Sequence, residues 1–222
     1  PMGLMKKDHL RAIAAIPEVS QSWQEAHGHP ITEEEIDRMF EQFVPLQMAC
    51  LDEYAHVIPG VREAVAEFRQ MGIKIGSTTG YTREMMEILV PAASRNGYTP
   101  DTWVSATDVP AGRPYPWMAY QNAIQLQVYP MEAYVKIGDT LPDIEEGLNA
   151  GMWTIGIALT GNLLGLTEAE VAALPAETLN AKRAEISTRL YSAGAHFVAN
   201  SLRDCPAIIQ NINALLLKGE LP

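Results

Sequence analysis

The chain has 222 residues, 47% of them apolar, and a formal net charge of −11. That size suits one large domain or a core with a smaller module, and that charge leaves no basic face for a nucleic-acid backbone. No apolar run is long enough to span a bilayer, and Cys50 and Cys205 have neither metal-ligand spacing nor the numbers for a disulfide framework, so the expected compartment is the cytoplasm.

Met2, Met5, His9, Ile13 and Ile16 recur at helical spacing until Pro17 stops the pattern. A second short helix holds Trp23. Thr32 and Glu35 then form a capping box that opens a third helix through Ile36, Met39, Phe40 and Phe43, and Pro45 is expected to kink or split it. Residues 1–54 therefore read as a small helical cap with no convincing core of its own. From residue 55 the pattern alternates: helix 61–71, strand 73–77, helix 83–94, strand 102–105, and a helix holding Trp117, Tyr120, Ile124 and Leu126. Strand 133–137, helix 143–150, strand 153–157, a helix near 177–192, strand 195–198 and helix 202–217 complete it. Such alternation requires right-handed crossovers and a parallel sheet covered on both faces, so residues 55–222 form an α/β core.

Ligands of open parallel sheets collect at the carboxyl ends of the strands. Asp139 follows the run Val135-Lys-Ile-Gly138 at once, and Asp143 stands four residues on, so both lie at one strand-to-helix turn. Two carboxylates there suit a hard cation, Mg²⁺ first, held through oxygen; read blandly, Asp139 is a turn residue and Asp143 an N-cap. The loop Thr78-Thr-Gly-Tyr-Thr82 offers hydroxyls and Gly80 to phosphoryl oxygens, or is simply a turn. Arg113, in Gly-Arg-Pro-Tyr-Pro, can fork across two phosphoryl oxygens, or is a solvated surface arginine. Lys6 and His9 share one helical face, where a lysine near a helix end is ordinarily a solvated charge, and Lys7 points about 100° away.

In that order, Thr79, Arg113, Asp139 and Asp143 resemble the second, third and fourth motifs of the haloacid dehalogenase superfamily. Longer strings carry a more specific resemblance to the phosphonoacetaldehyde hydrolases, over nearly the whole chain. They are Pro1-Met-Gly-Leu-Met-Lys-Lys-Asp-His9, Ile73-Lys-Ile-Gly-Ser-Thr-Thr-Gly-Tyr-Thr82, Pro110-Ala-Gly-Arg-Pro-Tyr-Pro-Trp117 and Gly147-Leu-Asn-Ala-Gly-Met-Trp153. The resemblance implies a Rossmann-like parallel core with a helical cap, Mg²⁺ at Asp139 and Asp143, and a homodimer formed through the cap. It implies that phosphonoacetaldehyde is cut into acetaldehyde and phosphate through an imine on Lys6, with His9 moving protons. Met2 would wall off water, and Thr79, Gly80, Tyr81 and Arg113 would hold the substrate. No position matches the family's first motif, whose aspartate attacks phosphorus, so that residue and the first core strand are expected upstream of Pro1. A phosphomonoesterase of the same superfamily, which has no use for Lys6, and a non-catalytic fragment with the same fold are the alternatives.

Overall fold

A computed structural model describes residues 1–222. Three helices come first: α1 (Lys6–Ala14), α2 (Pro17–His27) and α3 (Glu33–Cys50). α2 starts with Pro17 in its first turn, where a missing N–H costs nothing, and ends at Gly28 in the left-handed region. α3 opens with the expected box: Thr32 accepts from the Glu35 N–H, and the Glu35 carboxylate accepts from the Thr32 N–H at 2.9 Å. Pro45 does not split α3, which runs on to Cys50 although proline supplies no N–H to the preceding turn. Met2 and Met5 fall outside α1, whose N-cap is Met5, so Lys6 is its first residue.

The remaining chain alternates α4 (Val61–Gln70), β1 (Gly76–Thr79), α5 (Arg83–Arg95), β2 (Thr102–Ser105), α6 (Trp117–Leu126), β3 (Val135–Gly138), α7 (Leu141–Asn149) and β4 (Trp153–Ile157). A short α8 (Glu168–Ala173), boxed by Thr167 and Glu170 and not anticipated from the sequence, precedes α9 (Ala176–Ser192), β5 (Phe197–Ala199) and α10 (Cys205–Leu217). All pairing is parallel, β1 with β2 and separately β3 with β4 and β4 with β5.

Side chains that capture backbone groups move several strand boundaries. β1 starts at Gly76, not residue 73, because the Ile73 N–H donates to Phe68 at the end of α4 and the Ile75 N–H donates to the Asp101 carboxylate at 2.6 Å. A 3-10 turn at Met131–Ala133 delays β3 to Val135. β5 begins at Phe197 because the His196 N–H donates to Thr154 Oγ1 at 3.0 Å. Thr140, not Asp143, is the N-cap of α7, and Asp143 is the acidic partner of its capping box.

The main core lies between β4, β5, α4 and α10, with Phe68, Ile155 and Ile212 buried. A second cluster joins Ile144 of α7 to Ile186 and Leu190 of α9. Ile144 and Leu190 are fully buried, each worth about 1.5–3 kcal/mol by removal from water. The first cluster anchors β4 and the second anchors α7, and Gly147 of α7 lies directly on Lys136 of β3 and Thr154 of β4, which together fix the turn that carries Asp139 and Asp143. No helix is long and apolar enough to cross a membrane.

Candidate active site

Three consecutive residues ahead of α1 rest on the loops that follow β1, β2 and β3. Gly3 lies against Thr140, the Leu4 carbonyl covers Gly80, and Met5 packs on Gly112. A side chain on Gly3 or Gly80 would strike those partners, so glycine permits the close approach in both places. Gly80 thus serves as a seat for backbone, and it is buried. The contact delivers Lys6, whose Nζ lies 4.4 Å from the centroid of the Tyr81 ring, a cation–π distance. Burial, then the charge of Arg113, holds the Lys6 amine below the usual lysine range. Lys7 points elsewhere and pairs with Asp37 of α3.

His9 stands one turn after Lys6 on the same face. Its Nδ1 is buried without a hydrogen-bond partner, and burial, followed by the charge of Lys6, lowers its pKa. A neutral imidazole with a free ring nitrogen can take up or release a proton near pH 7. Met2 is 46% exposed, so it does not close the site to water in this conformation.

Beneath the loops lies a buried ion cluster. Arg113 Nε donates to Glu146 at 2.9 Å and lies 3.1 Å from Asp143, while Lys136 Nζ bonds Glu146 and lies 3.2 Å from Asp143. The Arg113 side chain is 8% exposed. Its Nη2 donates to the Thr78 carbonyl and hydroxyl at 2.7 and 2.8 Å, and its Nη1 to the Gly3 carbonyl at 3.1 Å. The guanidinium therefore turns inward, and the expected fork toward two phosphoryl oxygens is not presented. Only one N–H, on Nη1, is left for a ligand.

Burial opposes ionisation of Asp143 and Glu146, but the charges of Lys136 and Arg113 outweigh it and hold both carboxyls below their usual range. Lys136, Glu146 and Thr78 were not among the expected site residues. Lys136 carried a signal, a lysine inside a β-branched apolar run, and Glu146 stands three residues after Asp143, on the same face of α7.

Asp139, just past β3, has one carboxylate oxygen bound by Asn162, at 2.7 Å from its backbone N–H and 2.5 Å from its side-chain amide. Its other oxygen is free for a cation. Asp143 has none to spare: Oδ2 accepts from Thr140 and Oδ1 faces Arg113 and Lys136. No group of three or more His, Cys, Asp or Glu side chains encloses a metal site. A hard divalent ion fits the donor set through Asp139, with water and ligand oxygens completing its shell, and Asp143 behind it as support. The buried cluster is balanced, Asp143 and Glu146 against Arg113 and Lys136, so the carboxylate of Asp139 is the charge left for a divalent ion to meet. Thr79 Oγ1 accepts the Tyr81 N–H at 3.2 Å and keeps its own hydrogen for a ligand oxygen.

A family model of haloacid dehalogenase-like hydrolases matches residues 7–151. A phosphonoacetaldehyde hydrolase-like protein of Syntrophobacter fumaroxidans is 56% identical over the whole chain, which covers 80% of that relative. A phosphonoacetaldehyde hydrolase of Nitratidesulfovibrio vulgaris is 46% identical, with 79% of its length covered. Among solved structures, a phosphonoacetaldehyde hydrolase-like protein of Oleispira antarctica superposes with a TM-score of 0.96 at 39% identity, over all of this chain and 80% of the other.

Proposed function

The chain belongs to the haloacid dehalogenase-like hydrolases and, among them, to the phosphonoacetaldehyde hydrolases, and we propose that it serves cleavage of the carbon–phosphorus bond of phosphonoacetaldehyde. Residues 1–54 act as a cap that brings an amine to a phosphoryl site on the core, residues 55–222. The observation that carries this reading is the seating of Gly3, Leu4 and Met5 on the three core loops, which sets Lys6 on Tyr81.

A carbon–phosphorus bond breaks heterolytically only where carbon can leave with the bonding pair. The neutral Lys6 amine adds to the aldehyde and, with loss of water, gives an imine whose protonated form accepts that pair as an enamine. The phosphoryl group passes to an attacking carboxylate and then to water, releasing phosphate. His9 protonates the enamine carbon, and hydrolysis of the imine releases acetaldehyde and restores the amine. The lowered pKa of Lys6 supports its role, because only the neutral amine adds to the aldehyde.

Thr79 and the backbone around Gly80 and Tyr81 hold the phosphoryl end, with Arg113 supplying positive charge from below. Mg²⁺ held by Asp139, with Asp143 in support, would neutralise phosphoryl charge. Asp143 is not free to attack phosphorus, since Thr140 and the ion cluster engage both its oxygens, and the one open oxygen of Asp139 is the one assigned to the metal. The two unpaired thiols, Cys50 and Cys205, support a cytoplasmic setting.

The deciding experiment uses the chain extended to the full length of its relatives. Phosphonoacetaldehyde should yield equal amounts of acetaldehyde and phosphate, and Lys6→Arg should abolish both. Phosphate release from ordinary monoesters with unchanged rate in Lys6→Arg would replace this reading with a phosphomonoesterase.

A further inference from the structure

Glu146 of α7 is fully buried, and one of its oxygens, Oε2, accepts from three donors: Arg113 Nε at 2.9 Å, the Thr78 hydroxyl at 3.0 Å, and Lys136 Nζ. Its other oxygen, Oε1, is buried with no partner. Buried ion pairs are often no better for stability than apolar side chains of similar volume, and an unmatched carboxylate oxygen adds a further cost. Stability alone therefore does not explain a carboxylate at this place, and what it holds must be considered.

The guanidinium of Arg113 is a rigid planar fork, so fixing one edge fixes the direction of every other N–H. Glu146 takes the Nε–H directly. It also takes the hydrogen of the Thr78 hydroxyl, which leaves that oxygen to accept from Arg113 Nη2 at 2.8 Å and from Lys136 Nζ at 2.6 Å. The second Nη2 hydrogen goes to the Thr78 carbonyl at 2.7 Å. Asp143 faces the same Nε at 3.1 Å but its hydrogen bonds run to Thr140, so Glu146 is what joins Nε to Thr78. With that edge fixed, Nη1 faces the residues ahead of α1 and donates to the Gly3 carbonyl at 3.1 Å. Gly3 is the first of the three residues seated on the core, and Lys6 opens the helix that follows them.

We propose that Glu146 is a positioning residue for Lys6: it holds Arg113 in the orientation that latches the Gly3 carbonyl, and so seats the amine through two intermediaries. Thr78 relays its hold to Nη2, and Lys136 is its counter-charge. The guanidinium so held also acts on the amine through its charge, which lowers the Lys6 pKa after the larger effect of burial. The seating stands on hydrogen bonds alone, and only the effect on reactivity rests on the proposed imine chemistry.

Two double variants separate hydrogen bonding from charge. Lys136→Met with Glu146→Leu, and Lys136→Met with Glu146→Gln, each remove one charge of either sign and leave Arg113 paired with Asp143, so both should fold, as thermal melting will check. Only the glutamine form keeps an acceptor for Arg113 Nε and the Thr78 hydroxyl. In the leucine form, limited proteolysis between Met2 and Met5 should speed up about tenfold as the seat opens, and borohydride labelling of Lys6 with acetaldehyde should fall in proportion. In the glutamine form both should return toward the wild-type rates. Unchanged proteolysis in the leucine form would overturn the proposal, and so would equal loss in the two forms, which would make the effect one of charge. Thr78→Val, which removes the relay and no charge, should shift both readouts in the same direction and decides the matter if the double variants do not fold. A wild-type Lys6 that takes no label would remove the imine reading, and proteolysis by itself would still decide the seating.

Discussion

Lys6 on the first turn of α1 and Tyr81 at the mouth of β1 form a contact between sequence-distant modules, with the amine 4.4 Å from the ring centroid. Burial and Arg113 hold that amine below its ordinary pKa, which raises its neutral fraction at pH 7. Borohydride reduction in the presence of phosphonoacetaldehyde or a simple aldehyde should therefore label Lys6 in preference to Lys7, whose charge is engaged by Asp37. Lys6→Arg cannot form an imine and should lose the label while keeping the fold. Peptide mapping by mass spectrometry checks this. Equal labelling of Lys7 would remove the special role of Lys6.

The ion cluster makes a pH prediction. Asp143 and Glu146 are more acidic in the folded chain than in the unfolded one, so their stabilising contribution is full above the ordinary carboxylate range. It is lost as pH falls through the depressed folded values. Thermal midpoints should thus fall steeply below about pH 4. Glu146→Gln removes one titrating group and leaves Arg113 and Lys136 with Asp143 alone. Breaking a buried pair in this way costs about 3–5 kcal/mol and should flatten the acid limb. A melting series from pH 7 to pH 3 decides it.

The order of elements, the parallel sheet and the strand-end loops were legible in the sequence because period-two and period-3.6 patterns report burial directly. The edges of β1, β3 and β5 were not, because Asp101, Thr154 and a turn after Pro130 take backbone groups that the pattern alone assigns to ladders. Among site residues, Asp139 stands where its place after Gly138 put it. The inward turn of Arg113 was hidden, since it depends on Glu146 and Thr78, which lie 33 and 35 residues away in sequence. Lys6 had no local signal beyond its resemblance, because its setting on Tyr81 is made by contacts across modules.

Asp139 should dominate metal affinity. Asp139→Asn is expected to weaken Mg²⁺ binding strongly while the fold persists. Asn162→Ala, which frees the oxygen that Asn162 holds, should reduce affinity about 10–100-fold by loss of ligand orientation. Calorimetric titration of this chain with Mg²⁺ reads both without requiring turnover. Unchanged affinity in Asp139→Asn would place the metal elsewhere.

A homodimer is the proposed assembly. The helical segment before residue 55 leaves Leu46 73% and Tyr54 74% exposed, with Ile16 and Met2 also open, and such apolar surface is commonly covered by association. Light scattering at micromolar concentration should give twice the chain mass. Leu46→Glu should shift the population toward monomer, and a monomeric wild-type chain would discard the idea.

Gly80 tests whether the cap must sit on the core for the amine to work. Its φ is not in the left-handed region, so alanine is acceptable to the backbone, and the obstacle is the Leu4 carbonyl that the new Cβ would strike. A backbone group cannot swing aside as a side-chain tip can, so Gly80→Ala should cost about 1–3 kcal/mol or push Leu4 off its seat. Either response moves Lys6 away from Tyr81. Borohydride labelling of Lys6 should then fall, and limited proteolysis between Met2 and Met5 should speed up, while Mg²⁺ binding at Asp139 stays intact. By contrast Gly28→Ala, at a glycine with open space around it and outside all three loops, should leave labelling unchanged even where its left-handed φ costs stability. Equal labelling in wild type and Gly80→Ala would mean that the amine reaches its aldehyde without the seat, and that the close approach of Leu4 to Gly80 is packing alone.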